Sequence, residues 1–133
     1  MRAVLLIDDH AMFREGLVLA LTQAAPDFTV HAVSNGSEAI AELEAHSGIS
    51  VVMMDYYLPD VGGSVLLRRL RQARPGIHIL VLSASEDPDD VHAALSAGAQ
   101  GFIHKSASSK TLLEALNGVI EGKQIVPDTY RSE

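Results

Sequence analysis

The feature that most constrains this chain is an alternation. Five short apolar runs are each followed by a stretch whose apolar residues recur at helical spacing. Ala3-Val4-Leu5-Leu6-Ile7 has no polar member, which suits a strand buried on both faces. Phe13, Leu17 and Leu21 follow at intervals of four, as one stripe of an amphipathic helix. Phe28 to Val33 reads as a second strand, Ser34-Asn35-Gly36 as a turn, and Ala39, Ile40 and Leu43 as a second helix. Val51 to Met54 is a third strand. After a loop holding Pro59 and Gly62-Gly63, Val65, Leu66 and Leu70 mark a helix that Pro75-Gly76 ends. Ile77 to Leu82, Asp87 to Ala97 and Gly101 to Ile103 continue as strand, helix and strand. Leu112, Leu113, Leu116, Val119 and Ile120 form the last helical stripe.

Strands alternating with helices predict an α/β fold, a doubly wound five-stranded parallel sheet flanked by five helices. At 133 residues and 47% hydrophobic, the chain is one domain with enough apolar surface for a core. Net charge is −7, so bulk charge will not hold a nucleic-acid backbone. Without cysteine, thiolate metal sites and thiol nucleophiles are excluded. No apolar run approaches the roughly 20 residues that span a bilayer, and no signal-peptide layout opens the chain. The reading expects a soluble, cytoplasmic domain.

In such folds ligands gather beyond the carboxyl ends of the strands. The residues there are Asp8 and Asp9 after the first strand, Asp55 after the third, Ser83 after the fourth and Lys105 after the fifth. An isolated Asp after a strand is most often a helix cap, a Ser bonds local backbone, and a lone Lys is solvated. All five on one edge form a chemically coherent set. Crowded carboxylates repel one another unless a cation joins them, and Mg²⁺, a hard ion that takes oxygen ligands, meets that need. With an ammonium and a hydroxyl added, the pocket suits a phosphoryl group, and a carboxylate can be the nucleophile that accepts it.

These residues resemble the receiver domain of two-component response regulators, in the LuxR/NarL-type branch that carries a helix-turn-helix effector. The resemblance rests on Ile7-Asp8-Asp9-His10-Ala11-Met12-Phe13-Arg14-Glu15-Gly16-Leu17, Met54-Asp55-Tyr56-Tyr57-Leu58-Pro59-Asp60 with Gly62-Gly63, Leu82-Ser83-Ala84, and Ala97 to Lys105. It implies a flavodoxin-like strand order 2-1-3-4-5. It also implies that Asp55 is the phosphoacceptor, and that Asp9, Asp55 and the backbone carbonyl of Tyr57 ligate Mg²⁺ directly, with Asp8 acting through water. Lys105 and Ser83 contact phosphoryl oxygens, and Phe102 is the switch aromatic that swings inward. A sensor histidine kinase is the implied donor. The face of the fourth helix, fifth strand and fifth helix is the implied output, with a phosphorylation-dependent homodimer and transcriptional control through a DNA-binding effector domain outside these residues. The chain is then a switch with weak self-directed chemistry rather than a turnover enzyme. Residues 1–121 form the receiver, and 122–133 begin a linker to the effector or a frayed tail.

Two departures from the family pattern stand out. Ser106 follows Lys105 where many receivers have proline, so a trans bond is expected. Bulky Tyr57, two residues after the acceptor, is expected to hinder attacking water. The alternative is a degenerate receiver acting as a constitutive interaction module. A flavin-binding relative is disfavoured because Asp8-Asp9 repels phosphate, and a dehalogenase-type phosphatase because Tyr57 stands where its second Asp belongs.

The histidines, His10, His31, His46, His78, His92 and His104, are read as standing at no i, i+4 or H-x-H spacing to another ligand, so no zinc site is expected. His10 is placed at the rim of the acidic pocket, and His104 on the opposite side of its strand from Lys105. Arg68, Arg69, Arg71 and Arg74 are read as a solvated helix face.

Overall fold

The apolar runs of the central strands can be buried only if helices cover both faces of the sheet, and they do. A computed structural model describes residues 2–85 and 87–127. In chain order the elements are β1 (Arg2–Ile7), α1 (Ala11–Ala24), β2 (Phe28–Val33), α2 (Gly36–Ala45), β3 (Ile49–Asp55), α3 (Gly63–Ala73), β4 (His78–Ser83), α4 (Pro88–Ser96), β5 (Gly101–His104) and α5 (Ser109–Ile120). The sheet is parallel, with strand order β2-β1-β3-β4-β5, a flavodoxin-like, doubly wound arrangement.

Side chains alternate across each strand, so two cores form. Leu5, Ile7, Val52, Met54, Ile79 and Val81 face one layer with Leu43, Leu66, Leu70 and Val91 from α2, α3 and α4. Val4, Leu6, Met53 and Leu80 face the other, against Leu17 and Leu21 of α1 and Leu112, Leu116 and Val119 of α5. Burying each such side chain contributes about 1.5–3 kcal/mol, which outweighs local propensity.

Polar punctuation sets the helix ends. Asn35 is an N-cap whose side chain accepts from the Glu38 N–H at 2.9 Å, so the segment read as a turn is the start of α2. Asp87 caps α4 and Ser108 caps α5 in the same way. Gly98, at φ 113°, turns the chain out of α4 in a conformation that side chains disfavour.

Three details differ from the sequence reading. Val65 is 44% exposed, and Leu67 joins Leu66 and Leu70 inside, because α3 starts at Gly63 and its buried stripe runs through Gly63, Leu66, Leu67 and Leu70 at i, i+3, i+4 and i+7. Arg71 and Arg74 are not solvated. Arg71 donates to the carbonyls of Ile77 and Gly98, and Arg74 to those of Leu43, His46 and Ile49. Of the four arginines, only Arg68 and Arg69 are exposed. Beyond α5, the chain returns along the outer edge of β5: Ile125 N–H donates to Gln100 O, and Phe102 N–H to Ile125 O at 2.8 Å. Of the segment read as a linker, Ile125 therefore bridges to the sheet edge, and 128–133 lies outside the described residues. Among the described residues, no helix is long and apolar enough to cross a membrane.

Candidate functional site

The parallel register brings the polar strand ends together. Ile7 pairs with Met54, Asp55 with Leu82, and Ser83 with His104. Asp8, Asp55, Ser83 and Lys105 therefore stand at the tips of four adjacent strands. Residues spread over 97 positions share one edge because each strand stops after its last apolar residue.

Asp8 is fully buried. Its Oδ1 accepts the His10 N–H at 2.8 Å, and the Lys105 ammonium lies 2.8 Å from Oδ2 as an ion pair with no directed hydrogen bond at that oxygen. The same ammonium is 3.2 Å from Asp55 Oδ2, whose partner Oδ1 accepts the Tyr57 N–H at 3.1 Å. Asp9, about a third exposed, faces the opening. Ligand atoms of Asp8, Asp9, His10 and Asp55 all lie within 4.8 Å of one another. The aliphatic and charged end of Lys105 is steadied by the Phe13 ring, 4.4 Å from the ammonium, and Arg14 from α1 donates to the Asp8 carbonyl at 2.7 Å.

Charge and burial oppose each other here. Burial pushes the Asp55 carboxyl above the ordinary carboxylate range, and the Tyr57 N–H and the Lys105 charge only partly offset it. Burial would lower the Lys105 ammonium, but its contacts with Asp8 and Asp55 outweigh that and hold it above the usual lysine value. One ammonium thus faces three carboxylates. The donors are mostly oxygens, and one buried carboxylate oxygen takes no directed hydrogen bond, so the residues fit a hard divalent cation such as Mg²⁺.

Ser83 is buried beside this group, and its Oγ accepts the Ser85 N–H at 3.0 Å, which leaves the hydroxyl hydrogen free to donate. Phe102 is already inward, 1% exposed, with its ring 6.1 Å from that of Tyr56. It does not touch the carboxylates. Tyr57 is 56% exposed, and its hydroxyl donates to Asp90 on α4. That bond raises the phenol to about 12, because ionisation would put two negative charges together. The sequence reading treated the Tyr57 side chain as a shield and its carbonyl as a metal ligand, and did not single out Asp90; an acid in the first turn of α4 was the one signal. The Lys105–Ser106 bond is trans. His104 turns to the Ala84 carbonyl and to Ser106, away from the carboxylates.

The reading of spacings on which the zinc expectation rests needs correction. It overlooked Glu42, four residues before His46, and the fold adds His31 from β2.

A parallel sheet of this order with an acidic, lysine-bearing carboxyl edge defines a doubly wound α/β domain whose polar site lies where such folds bind ligands. Comparison with known proteins narrows it. Residues 4–117 match the response regulator receiver domain, and the chain belongs to that family. It is 36% identical over 119 residues to the transcriptional activator protein ExaE of Pseudomonas putida, covering 90% of this chain and 55% of that protein. It is 34% identical over 125 residues to the nitrate/nitrite response regulator protein NarL of Escherichia coli, covering 94% and 57%. The crystal structure of a LuxR-family two-component response regulator from Aurantimonas superposes with a TM-score of 0.87 at 27% identity, over 98% of this chain and 93% of that one. The chain spans little more than half the length of the curated relatives it matches.

Proposed function

We propose that this receiver accepts a phosphoryl group on Asp55 from a sensor histidine kinase. The observation that carries the reading is the Asp55 carboxylate held 3.2 Å from the Lys105 ammonium at an edge shared with Asp8, Asp9 and Ser83. An Asp55 oxygen attacks phosphorus, a P–O bond forms, and the P–N bond to the donor imidazole breaks with its electron pair returning to nitrogen. Lys105 neutralises a phosphoryl oxygen, and the Ser83 hydroxyl donates to another. Asp9, Asp55 and the Tyr57 carbonyl would hold Mg²⁺, with Asp8 through water. The ion supplies charge neutralisation among the crowded oxygens.

Phosphorylation replaces one carboxylate charge with a larger group, drawing Ser83 and Lys105 toward it and away from their present partners. That local change biases α4, β5 and α5, the face that would form a homodimer and control a DNA-binding effector domain. The names of the relatives support a transcriptional output. The chain would also assist hydrolysis of its own aspartyl phosphate, with no other substrate, and act in the cytoplasm.

Incubation with acetyl phosphate and Mg²⁺, followed by intact mass, is the test. Gain of one phosphoryl group that is absent in Asp55→Asn supports the reading. A gain that persists in Asp55→Asn, or no gain in the unaltered chain, overturns it.

A further inference from the structure

On the opposite flank of the sheet, three metal-binding side chains converge where no role has been assigned. We infer that His31, Glu42 and His46 form a site for a borderline divalent transition-metal ion such as Zn²⁺, separate from the acidic strand edge. His31 Nδ1 is 2.8 Å from Glu42 Oε2, His46 Nε2 is 3.4 Å from the same oxygen, and the ligand atoms of all three lie within 4.8 Å of one another. Around a tetrahedral ion with bonds of about 2.0–2.1 Å, neighbouring ligands sit about 3.3 Å apart, so small side-chain adjustments admit the ion. The imidazole centroids are 4.5 Å apart and tilted by 41°, so the rings are not stacked flat against each other.

The backbone beneath each ligand is already fixed. His31 is locked in β2 opposite Leu5 of β1. Glu42 lies inside α2, and His46 is its C-cap, with its N–H on the Glu42 carbonyl at 3.1 Å and its own carbonyl accepting from Arg74. The C-terminal end of a helix favours a cation. Arg74 occupies the carbonyls at that end, so the ion is held by side chains. Two imidazoles and one carboxylate select Zn²⁺, Ni²⁺ or Cu²⁺ over the hard ions. The fourth position opens to solvent, since His46 is about half exposed.

Binding changes the His31 tautomer. In the ion-free protein Nδ1–H faces the Glu42 carboxylate; to present a lone pair, the hydrogen must move to Nε2. The ion would also tie edge strand β2 to the last turn of α2, so thermal stability should rise with its concentration.

The acidic strand edge contains His10 and can compete for the same ions, so the experiment separates the two. ZnCl₂ is titrated into the full chain and into Asp9→Asn/Asp55→Asn, with imidazole nitrogens followed by NMR and binding by calorimetry. Support is a single ion per chain in the double variant, with His31 converting from the Nδ1–H to the Nε2–H form and His46 shifting with it. In His46→Gln, at a half-exposed site where folding is retained, affinity should fall about 10- to 100-fold and the Zn²⁺-dependent rise in melting temperature should vanish. Overturning results are shifts at His10 alone, unchanged affinity in His46→Gln, or no saturable binding in the double variant.

Discussion

Lys105 Nζ is closer to Asp8, at 2.8 Å, than to Asp55, at 3.2 Å. The ammonium is therefore shared between two buried carboxylates. Lys105→Ala would remove the ammonium from Asp8 and Asp55 and leave them only the His10 and Tyr57 contacts. Because the pocket is open on the Asp9 side, solvent moderates the penalty, and the loss should be about 1–3 kcal/mol without metal. The Lys105 value is raised, so this contribution is complete at neutral pH and is lost only as pH climbs through the raised folded value. Urea unfolding with and without MgCl₂ checks it: Mg²⁺ should recover more stability in Lys105→Ala than in the unaltered chain.

Asp55 has the opposite sign. Its folded value is raised, chiefly by burial. The protonated form is favoured on folding, so its stabilising contribution is present below the ordinary carboxylate range and lost as pH rises through the raised value. At pH 7 the charge is a liability. Asp55→Asn should therefore stabilise the metal-free domain at pH 7 and flatten the acid side of its pH–stability curve. A destabilised variant in metal-free buffer would contradict this.

Much of this was legible in sequence because strand ends and helix caps are local. Apolar runs locate all five strands, and the polar residue after each run is by construction at the sheet edge. The parallel order then brings Asp8, Asp55 and Lys105 together. What escaped was contact between side chains on elements whose relative rotation periodicity does not fix. The buried stripe of α3, through Gly63, Leu66, Leu67 and Leu70, leaves Val65 outside. Arg71 and Arg74 look like a solvated face until the neighbouring loops bring carbonyls to them. Tyr57 meets Asp90 across 33 positions and His31 meets Glu42 across 11, and neither spacing is a motif.

The Tyr57–Asp90 bond links the loop after β3 to α4, the helix on the proposed output face. Its phenol is raised to about 12. Near pH 11, roughly one unit above an ordinary tyrosine, Tyr57 should still be protonated. Asp90→Asn removes the negative partner, so the absorbance titration should show one more ionised tyrosine at that pH. In Tyr57→Phe, amide exchange at the first turn of α4 should accelerate. Unchanged exchange there would mean the bond does not hold the helix.

Arg74 closes the other end of α2. Three carbonyls, those of Leu43, His46 and Ile49, accept from one guanidinium. Arg74→Met keeps much of the stem packing but leaves these acceptors to solvent or unpaired. The cost should be about 2–3 kcal/mol in urea unfolding, since bonds from a charged donor exceed neutral ones. Arg69→Met on the exposed face of α3 should cost less than about 0.5 kcal/mol.

Gly63 couples helix packing to the acidic pocket. A Cβ there would lie 2.5 Å from the Tyr56 carbonyl oxygen and 2.5 Å from its ring. The ring could rotate, although it is only 9% exposed, but the carbonyl belongs to the backbone joining Asp55 to Tyr57. Gly63→Ala must therefore shift that loop or the start of α3. Overpacking of this kind costs about 1–3 kcal/mol. Because the Tyr57 N–H anchors Asp55 Oδ1, the shift should also weaken Mg²⁺ binding, measured by titrating tyrosine fluorescence. Gly16→Ala is the control: its Cβ meets nothing within 4 Å on an exposed turn of α1, and it should stabilise slightly without changing the Mg²⁺ titration. Equal Mg²⁺ affinity in both variants would show that the carboxylate edge tolerates movement of the loop behind it.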